Sequence, residues 1–494
     1  MVNQLATSLL IRIDPRGRET LQQQIYKGLQ RAILSGAIKP GTRLLSSRAL
    51  ADDLGVSRTT TLLALEQLLA EGYLTARRGA GTFVAKDLPD DLPQRHMIHP
   101  ASIPKHLPLS RRGAALVATP QGAQRLGGPP RAFRIGTPGV DLFPVRLWLR
   151  LINRRWRSVT AAQLDYGDAA GFRILREAIA EHVQTARGTQ CRADQVVIVA
   201  GAQQGLDLIC RLLLDPDDRA WMEEPGYPGA RSALLGAGAR ILPVRVDAEG
   251  IDVDAGARRA GDARLVYVTP SHQYPLGVPM SLRRRLALLK WASVARAWVV
   301  EDDYDSEFRY ATRAIPCLHG LDADRRVIYI GSFSKTLFPA LRLGFLIVPT
   351  DLLDPLVAAR SVADQHPPVH DQAVLADFIL EGHFARHLRR MRTAYRERFE
   401  ALAAAAERFC GGALRLRTVR TGLHVVADLD GVDALRVSAE AARRGIEVTP
   451  LAVYFAQRAN AANGLVLGFA AVRPEVLSIG VERLAAAIEA ARRS

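Results

Sequence analysis

Three hydrophobic regimes follow one another along the 494 residues. In TLQQQIYKGLQRAILS, residues 20–35, Leu21, Ile25, Leu29 and Ile33 recur four apart, which predicts a helix with one apolar face. GAIKPGTRL then breaks the chain at Gly36, Pro40 and Gly41. In SSRALADDLGVSRTTTLLALEQLLAEGYL, Ser46 or Ser47 can cap a short helix ending near Leu54, Gly55 makes a turn, and Ser57 caps a second helix running to about Glu71. YLTARRGAGTFVA reads as two short strands around Arg77, Arg78, Gly79 and Gly81. From about Lys86 to Pro130 no period is sustained, and the Pro, His, Arg and Gly content predicts a long linker. After Arg131, apolar runs such as QVVIVAG, ARLVYVTP, AWVVEDD and RVIYIGS alternate with stretches of helical spacing. Strands followed by crossover helices predict a largely parallel α/β sheet, buried on both faces, with ligands at the carboxyl ends of its strands.

Composition narrows the function classes. The 48% hydrophobic and 23% charged fractions are those of a globular protein, and the length implies more than one domain. A net charge of +16 points to a polyanionic partner. Cys191, Cys210, Cys317 and Cys410 are scattered without a CxxC pair, which argues against zinc or a disulfide framework and fits a reducing compartment. No metal site is expected. No apolar run approaches the roughly 20 residues of a membrane helix, and the N-terminus lacks a secretion signal, so a cytoplasmic location is expected.

Two helices across a glycine-containing turn form a helix-turn-helix, and the second presents Arg58, Thr59 and Thr60 at its N-terminal end. Helix, PGTRL, SSR, LGVSRTT, EGYL and GAGTFV occur in order. This series resembles the winged helix-turn-helix of the GntR family of bacterial regulators. The resemblance implies a double-stranded DNA operator as partner, contacted by Arg48, Arg58, Thr59, Thr60 and Gly81. The cap Ser57 and the wing arginines Arg77 and Arg78 complete the candidate face. Arg48 and Arg58 suit either phosphates or guanine.

The chain holds only six lysines, and beyond the linker only Lys290 and Lys335 remain. Where charge alone is needed this sequence uses arginine, so Lys335, in GSFSKTLFPALRLGF, hints at chemistry a guanidinium cannot do. Forming a Schiff base with an aldehyde is such chemistry. Pyridoxal 5'-phosphate would further need a phosphate cradle, a carboxylate for the ring nitrogen and an aromatic face. Asp302 and Asp303 follow a strand, with Tyr304 beside them for the phenolic oxygen. VIVAG runs into GAQQGLDLICRLLL, a small-residue turn opening a helix whose free amides suit a phosphate. Ser332 and Ser334 add hydroxyls, Arg342 adds a fork, and Tyr227 in EEPGYP can cover the ring.

LDYGDAAGFRILREAIAEH, GAQQGL, EEPGYPGAR, TPSHQYPLG, EDDYDSEFRY and SFSKTLFPALRLGF, in that order, resemble the fold type I aminotransferases. With the first region attached, the chain resembles the MocR subgroup of GntR regulators, including the pyridoxine-synthesis type. The likeness implies a winged helix-turn-helix over 15–86, a linker over 87–130, and an α/β fold type I domain over 131–494 with a mainly parallel sheet and a small C-terminal α+β subdomain. It makes Lys335 the imine-forming lysine, Asp302 the partner of the pyridine nitrogen with Asp303 as the second choice, and Tyr304 the partner of the phenolic oxygen. It makes Gly201, Ala202, Gln203, Ser332 and Arg342 phosphate holders and Tyr227 the stacking ring. Tyr166 matches a tyrosine that reaches the phosphate across a subunit boundary, which implies a homodimer.

Two departures matter. Where aminotransferases carry NPTG this chain has Tyr274, Pro275, Leu276 and Gly277, so the asparagine for the phenolic oxygen is missing, and His272 or Gln273 is the candidate substitute. NGLVLGFAAV lacks the arginine that forks a substrate carboxylate; Arg458 and Arg473 only flank it. The expectation is therefore a regulator that senses pyridoxal phosphate or an amino compound, the missing arginine favouring the cofactor itself. The alternatives are a working aminotransferase carrying a DNA-binding head, and a degenerate domain that only dimerises.

Overall fold

The computed structural model describes residues 11, 13–15, 17, 19–77, 79–88, 109–119, 128–310, 316–419, 421–457 and 461–493. The chain divides into two compact units, Met1–Pro108 and Leu109–Ser494.

In the first unit, α1 (Leu21–Leu34) buries Ile25, Leu29 and Ile33 on the face the four-residue spacing predicts. Ser46 rather than Ser47 caps α2 (Ser47–Leu54), its hydroxyl accepting from the Ala49 amide. Gly55 ends α2 in the left-handed region at φ +65°, where a β-carbon would be strained. Ser57 caps α3 (Arg58–Ala70). Fully buried Thr61 then locks α3 to α2 by donating to the Ser47 and Arg58 carbonyls at 2.9 Å. Strands β1 (Leu74–Arg77) and β2 (Gly81–Val84) pair antiparallel as a wing.

The second unit opens with α4 (Arg111–Val117), inside the stretch expected to be plain linker. Seven residues are too short for a period to show, and two turns gain stability only from packing. Leu116 packs over Gly236, where a β-carbon would lie 2.7 Å from its side chain, and Arg112 donates to the Gly236 carbonyl. Strands β3 (Val196–Val199), β4 (Arg219–Glu224), β5 (Arg240–Asp247), β6 (Gly250–Ile251), β7 (Leu265–Val268), β8 (Trp298–Asp303), β9 (Val327–Ser332) and β10 (Gly344–Ile347) form one sheet in the order β3-β10-β9-β8-β7-β4-β5-β6. From β9 to β5 the pairings are parallel; β10 runs antiparallel to both β3 and β9, and β6 hairpins back on β5. Val196 to Val199 are all fully buried, as a strand covered on both faces requires.

Helices α5 (Ala202–Leu213) and α6 (Pro228–Ala237) follow β3 and β4. A second, antiparallel sheet, in the order β11-β12-β14-β13, is built from β11 (Leu414–Leu416), β12 (His424–Leu429), β13 (Thr449–Pro450) and β14 (Gly464–Gly468). It shares one apolar core with α7 (His383–Cys410) and α8 (Pro474–Arg493), the small α+β subdomain expected at the C-terminus. Among the described residues no helix is long and apolar enough to cross a membrane.

Candidate functional site

The carboxyl end of β8 separates two neighbouring acids. Successive strand residues point to opposite faces, so Asp303 turns to the Arg187 guanidinium at 2.7 Å and the Tyr329 hydroxyl at 2.6 Å. Asp302 turns the other way, where its Oδ2 accepts from the Tyr267 hydroxyl at 2.8 Å and its buried Oδ1 has no partner among the described residues. Burial pushes the Asp302 carboxyl up to about 7, opposed by the Tyr267 bond and the Lys335 charge.

Lys335 is half-buried, and its Nζ donates to the Gly136 carbonyl at 2.7 Å. Burial lowers its pKa, Asp305 and Asp302 oppose that, and Arg342 adds to it. A larger neutral fraction makes a better nucleophile. Gly136 arrives there because the preceding segment crosses the small sheet: the Gly468 amide donates to the Phe133 carbonyl, and a β-carbon on Gly468 would lie 2.1 Å from the Arg134 carbonyl. Phe133 itself has φ +69°, a strain of about 1–2 kcal/mol for a side chain, compensated by its fully buried ring. Gly136 has φ +73°, and a β-carbon there would meet Lys335 Nζ at 2.9 Å.

At the ends of β3, β9 and β10 the other predicted residues gather. Gly201, φ +92°, is the N-cap of α5, whose first amides at Ala202 and Gln203 lie in the turn that has no intrahelical acceptor. Arg342 lies over Gly201 and donates to the Ala200 carbonyl at 2.6 Å. The Ser332 hydroxyl accepts from the Ser334 amide at 3.2 Å. Gly344 lets the strands meet this closely, since a β-carbon there would lie 2.9 Å from the Gly331 carbonyl. Gln203 donates to the Gly229 carbonyl at 2.9 Å, and its Oε1 is 3.5 Å from the Tyr227 hydroxyl, which burial pushes up to about 12.

The TPSHQYPLG loop divides its roles differently from the expectation. Gln273 is spent on the loop itself, donating to the Pro225 and Tyr274 carbonyls at 2.8 Å and to Glu223 at 3.3 Å, and is not brought to Tyr304. His272 is: its Nδ1 lies 2.9 Å from the Tyr304 hydroxyl and 3.0 Å from Asp305. Tyr274 stands among the rings of Tyr227, Tyr304, His424 and Tyr454, with centroids 5.3–5.6 Å away. Within the arginine-free stretch NGLVLGFAAV, Val466 of β14 is fully buried against Val426, Leu451 and Tyr454. Arg473 is exposed just before α8, and Arg458 lies outside the described residues. Tyr166 is 78% exposed and is not joined to the other predicted residues within one chain. Gly136, Asp305, His424 and Tyr454 escaped the sequence reading; of these only Asp305 stood inside a quoted motif, EDDYDSEFRY.

In the first unit Arg48, Arg58 and Thr59 are exposed, as are Arg77 and Gly81 on the wing. Among the described residues Arg48 and Arg58 make no ion pair. The Ser57 hydroxyl is held by the Thr60 amide at 3.1 Å and lies 2.7 Å from the Thr60 hydroxyl, so both side chains shape the helix start. The Arg77 guanidinium lies 5.0 Å over the Phe83 ring. Arg43, in the PGTRL turn, was missed: its Nε lies 2.9 Å from where a Gly81 β-carbon would be, so Gly81 leaves room for it. Arg78 lies outside the described residues. Among the described residues no group of three or more His, Cys, Asp or Glu could hold a metal ion.

Residues 21–84 match the model of bacterial regulatory proteins of the gntR family, and residues 146–484 match aminotransferase class I and II. The chain is 40% identical over 469 residues to the probable rhizopine catabolism regulatory protein MocR of Rhizobium meliloti, covering 94% of this chain and 93% of that one. The chain belongs to the MocR group of the GntR family. It is also similar to a second regulator of this MocR architecture, the pyridoxine biosynthesis transcriptional regulator PdxR of Corynebacterium glutamicum, at 31% identity over 94% of this chain and 95% of that one. The MocR large unit is similar to crystalline LysN, the α-aminoadipate aminotransferase of Thermus thermophilus complexed with N-(5'-phosphopyridoxyl)-L-leucine. Identity is 32%, the TM-score 0.66, and the match covers 72% of this chain and 92% of that one.

Proposed function

We propose that this MocR-type transcription regulator binds a double-stranded DNA operator through Arg48, Arg58, Thr59, Thr60 and the wing, and carries pyridoxal 5'-phosphate on Lys335, so that the state of that site alters operator binding. The observation that carries the reading is the buried, unpartnered Oδ1 of Asp302 on the Lys335 side of the sheet. A protonated pyridine nitrogen is the donor that oxygen lacks, and its charge would hold the carboxylate ionised. Gly201, Ala202, Gln203, Ser332, Ser334 and Arg342 would hold the phosphate, Tyr227 would cover the ring, and Tyr304 would bond its phenolic oxygen. When bound, the cofactor supplies an aldehyde that a neutral amine can condense with, releasing water, and a ring that withdraws electrons. This chain supplies the neutral amine at Lys335 Nζ and the oriented donors around it. Tyr166, exposed here, would reach the phosphate of a partner subunit, which makes the working species a homodimer. A cytoplasmic location follows from a DNA target.

The test combines absorbance with operator binding. The purified chain should turn yellow with pyridoxal phosphate, borohydride should fix one adduct at Lys335, and Lys335→Ala should abolish both. DNA binding, measured at fixed salt with and without cofactor, should change for the native chain and not for the variant. A colourless protein with no adduct would overturn the reading. A second reading, a working aminotransferase with a DNA-binding head, draws on the likeness to LysN. Turnover with an amino-acid panel would support it, although NGLVLGFAAV holds no arginine to fork a substrate carboxylate.

A further inference from the structure

We propose that His272 and Asp305 are positioning residues that aim the hydroxyl hydrogen of Tyr304 at the cofactor, the task left open by the missing asparagine. The inference rests on the proposed cofactor site and concerns how it is tuned.

One nitrogen, His272 Nδ1, faces three oxygens: Asp305 Oδ1 at 3.0 Å, Asp305 Oδ2 at 3.1 Å and Tyr304 Oη at 2.9 Å. Burial raises the Asp305 carboxyl and the His272 ring opposes that rise; once ionised, the carboxylate has only lone pairs to offer. An unprotonated Nδ1 would set its own lone pair against Asp305, so the proton belongs on Nδ1. Tyr304 Oη then receives that N–H as a shared acceptor, and its own hydrogen is left free for another acceptor. With the opposite tautomer Tyr304 would donate to His272 and have nothing for a ligand. Asp305 thus acts on Tyr304 through the imidazole between them.

The surroundings hold this geometry. Both His272 and Asp305 are buried. Gly422, φ +89°, closes over the pair, and a β-carbon there would lie 2.1 Å from His272 Cε1 and 2.7 Å from Asp305 Oδ2. On the Nε2 side a β-carbon on Gly277 would come within 3.1 Å. The titratable groups facing the trio are Asp302, Asp303 and Glu223 from the sheet, Lys335 from the turn after β9, Glu307 and Tyr310 from the segment after β8, Tyr274 from the His272 loop, and His424 from β12. His424 is kept neutral by burial, its pKa lowered to about 3, so it adds no charge against His272.

The test is the pH midpoint of the cofactor's absorbance in the full chain loaded with pyridoxal phosphate. A hydroxyl donating to the ring oxygen favours its deprotonated form and lowers that midpoint. Tyr304→Phe should therefore raise it by about one pH unit, tenfold in proton affinity, the scale of one hydrogen bond to a charged group. Asp305→Asn should raise it similarly, because without the carboxylate's charge the proton is no longer held on Nδ1, which can then accept from Tyr304. His272→Phe should do the same, and His272→Asn, which keeps an N–H near the Nδ1 position, should restore the native midpoint. If Tyr304→Phe shifts while Asp305→Asn and His272→Phe titrate like the native chain, the pair only packs and the proposal is overturned. If Tyr304→Phe does not shift, it is the placement of Tyr304 at the ring oxygen that fails. Nitrogen NMR of the histidine-labelled, cofactor-free chain, assigned with His272→Asn, covers variants that lose the cofactor: it should show Nδ1 of His272 protonated, and the Nε2-protonated tautomer would refute the argument.

Discussion

Asp302 should cost the cofactor-free protein stability, and removing its charge should return it. Its carboxyl is pushed from the ordinary 3.8 up to about 7 by burial. Between those values the folded chain keeps a proton that the unfolded chain releases, so stability falls as pH rises through the window. About three pH units at 1.36 kcal/mol each amounts to about 4 kcal/mol by pH 8. In Asp302→Asn that loss is absent. Asparagine, like a protonated aspartic acid, accepts from Tyr267 and leaves one polar group unpartnered, so variant and native protein start level at low pH. For a unit of roughly 400 residues, an unfolding entropy of about 2 cal/mol/K per residue makes 1 kcal/mol worth about 1 °C. Thermal melts of the cofactor-free proteins should therefore show Asp302→Asn higher by about 5 °C at pH 8 and by about 2 °C at pH 5. Adding pyridoxal phosphate should reverse the order, because only the carboxylate pairs with the pyridinium. A difference that does not change between pH 5 and 8, or a variant less stable at pH 8, would refute the reasoning.

Gly136→Ala should reduce cofactor trapping at Lys335 while the fold is retained, since the new methyl would lie 2.9 Å from Nζ and push it aside, and φ +73° adds about 1–2 kcal/mol of strain; borohydride reduction with mass spectrometry reads it. His424, lowered to about 3, is neutral when folded, so the native chain loses stability as pH falls below 6.5, by about 2 kcal/mol at pH 5. The stability gap between the native chain and His424→Asn should narrow by that amount from pH 7.5 to 5 in urea melts. Arg58→Ala and Arg43→Ala should each weaken operator binding; a phosphate contact would reduce the salt slope by about 1, and a base contact would relax specificity at one position.

Much of the site was legible because local order carries it. Asp302, Tyr304, Lys335 and Arg342 each follow an apolar run within a few residues, and the sheet brings the ends of those runs together. The choice between Asp302 and Asp303 was not legible: both follow the same strand, and only the neighbours on each face, Tyr267 against Arg187 and Tyr329, tell them apart. The same limit hid Gly136 and His424. Each lies more than 80 residues from Lys335, and a glycine or a lone histidine announces nothing until the chain has closed.

By itself the amino-acid sequence determined what local physics enforces: the helix periods, the serine caps and glycine turn of the DNA-reading unit, the buried strands, and the placing of Lys335, one of six lysines, just past an apolar run. The tertiary structure alone decided which face each polar group turns to, that Gln273 braces its loop while His272 meets Tyr304, and that α4 docks on α6 inside an apparent linker. The reason is range. Period and capping act over a few residues, whereas orientation and burial depend on contacts between strands and loops distant in the chain.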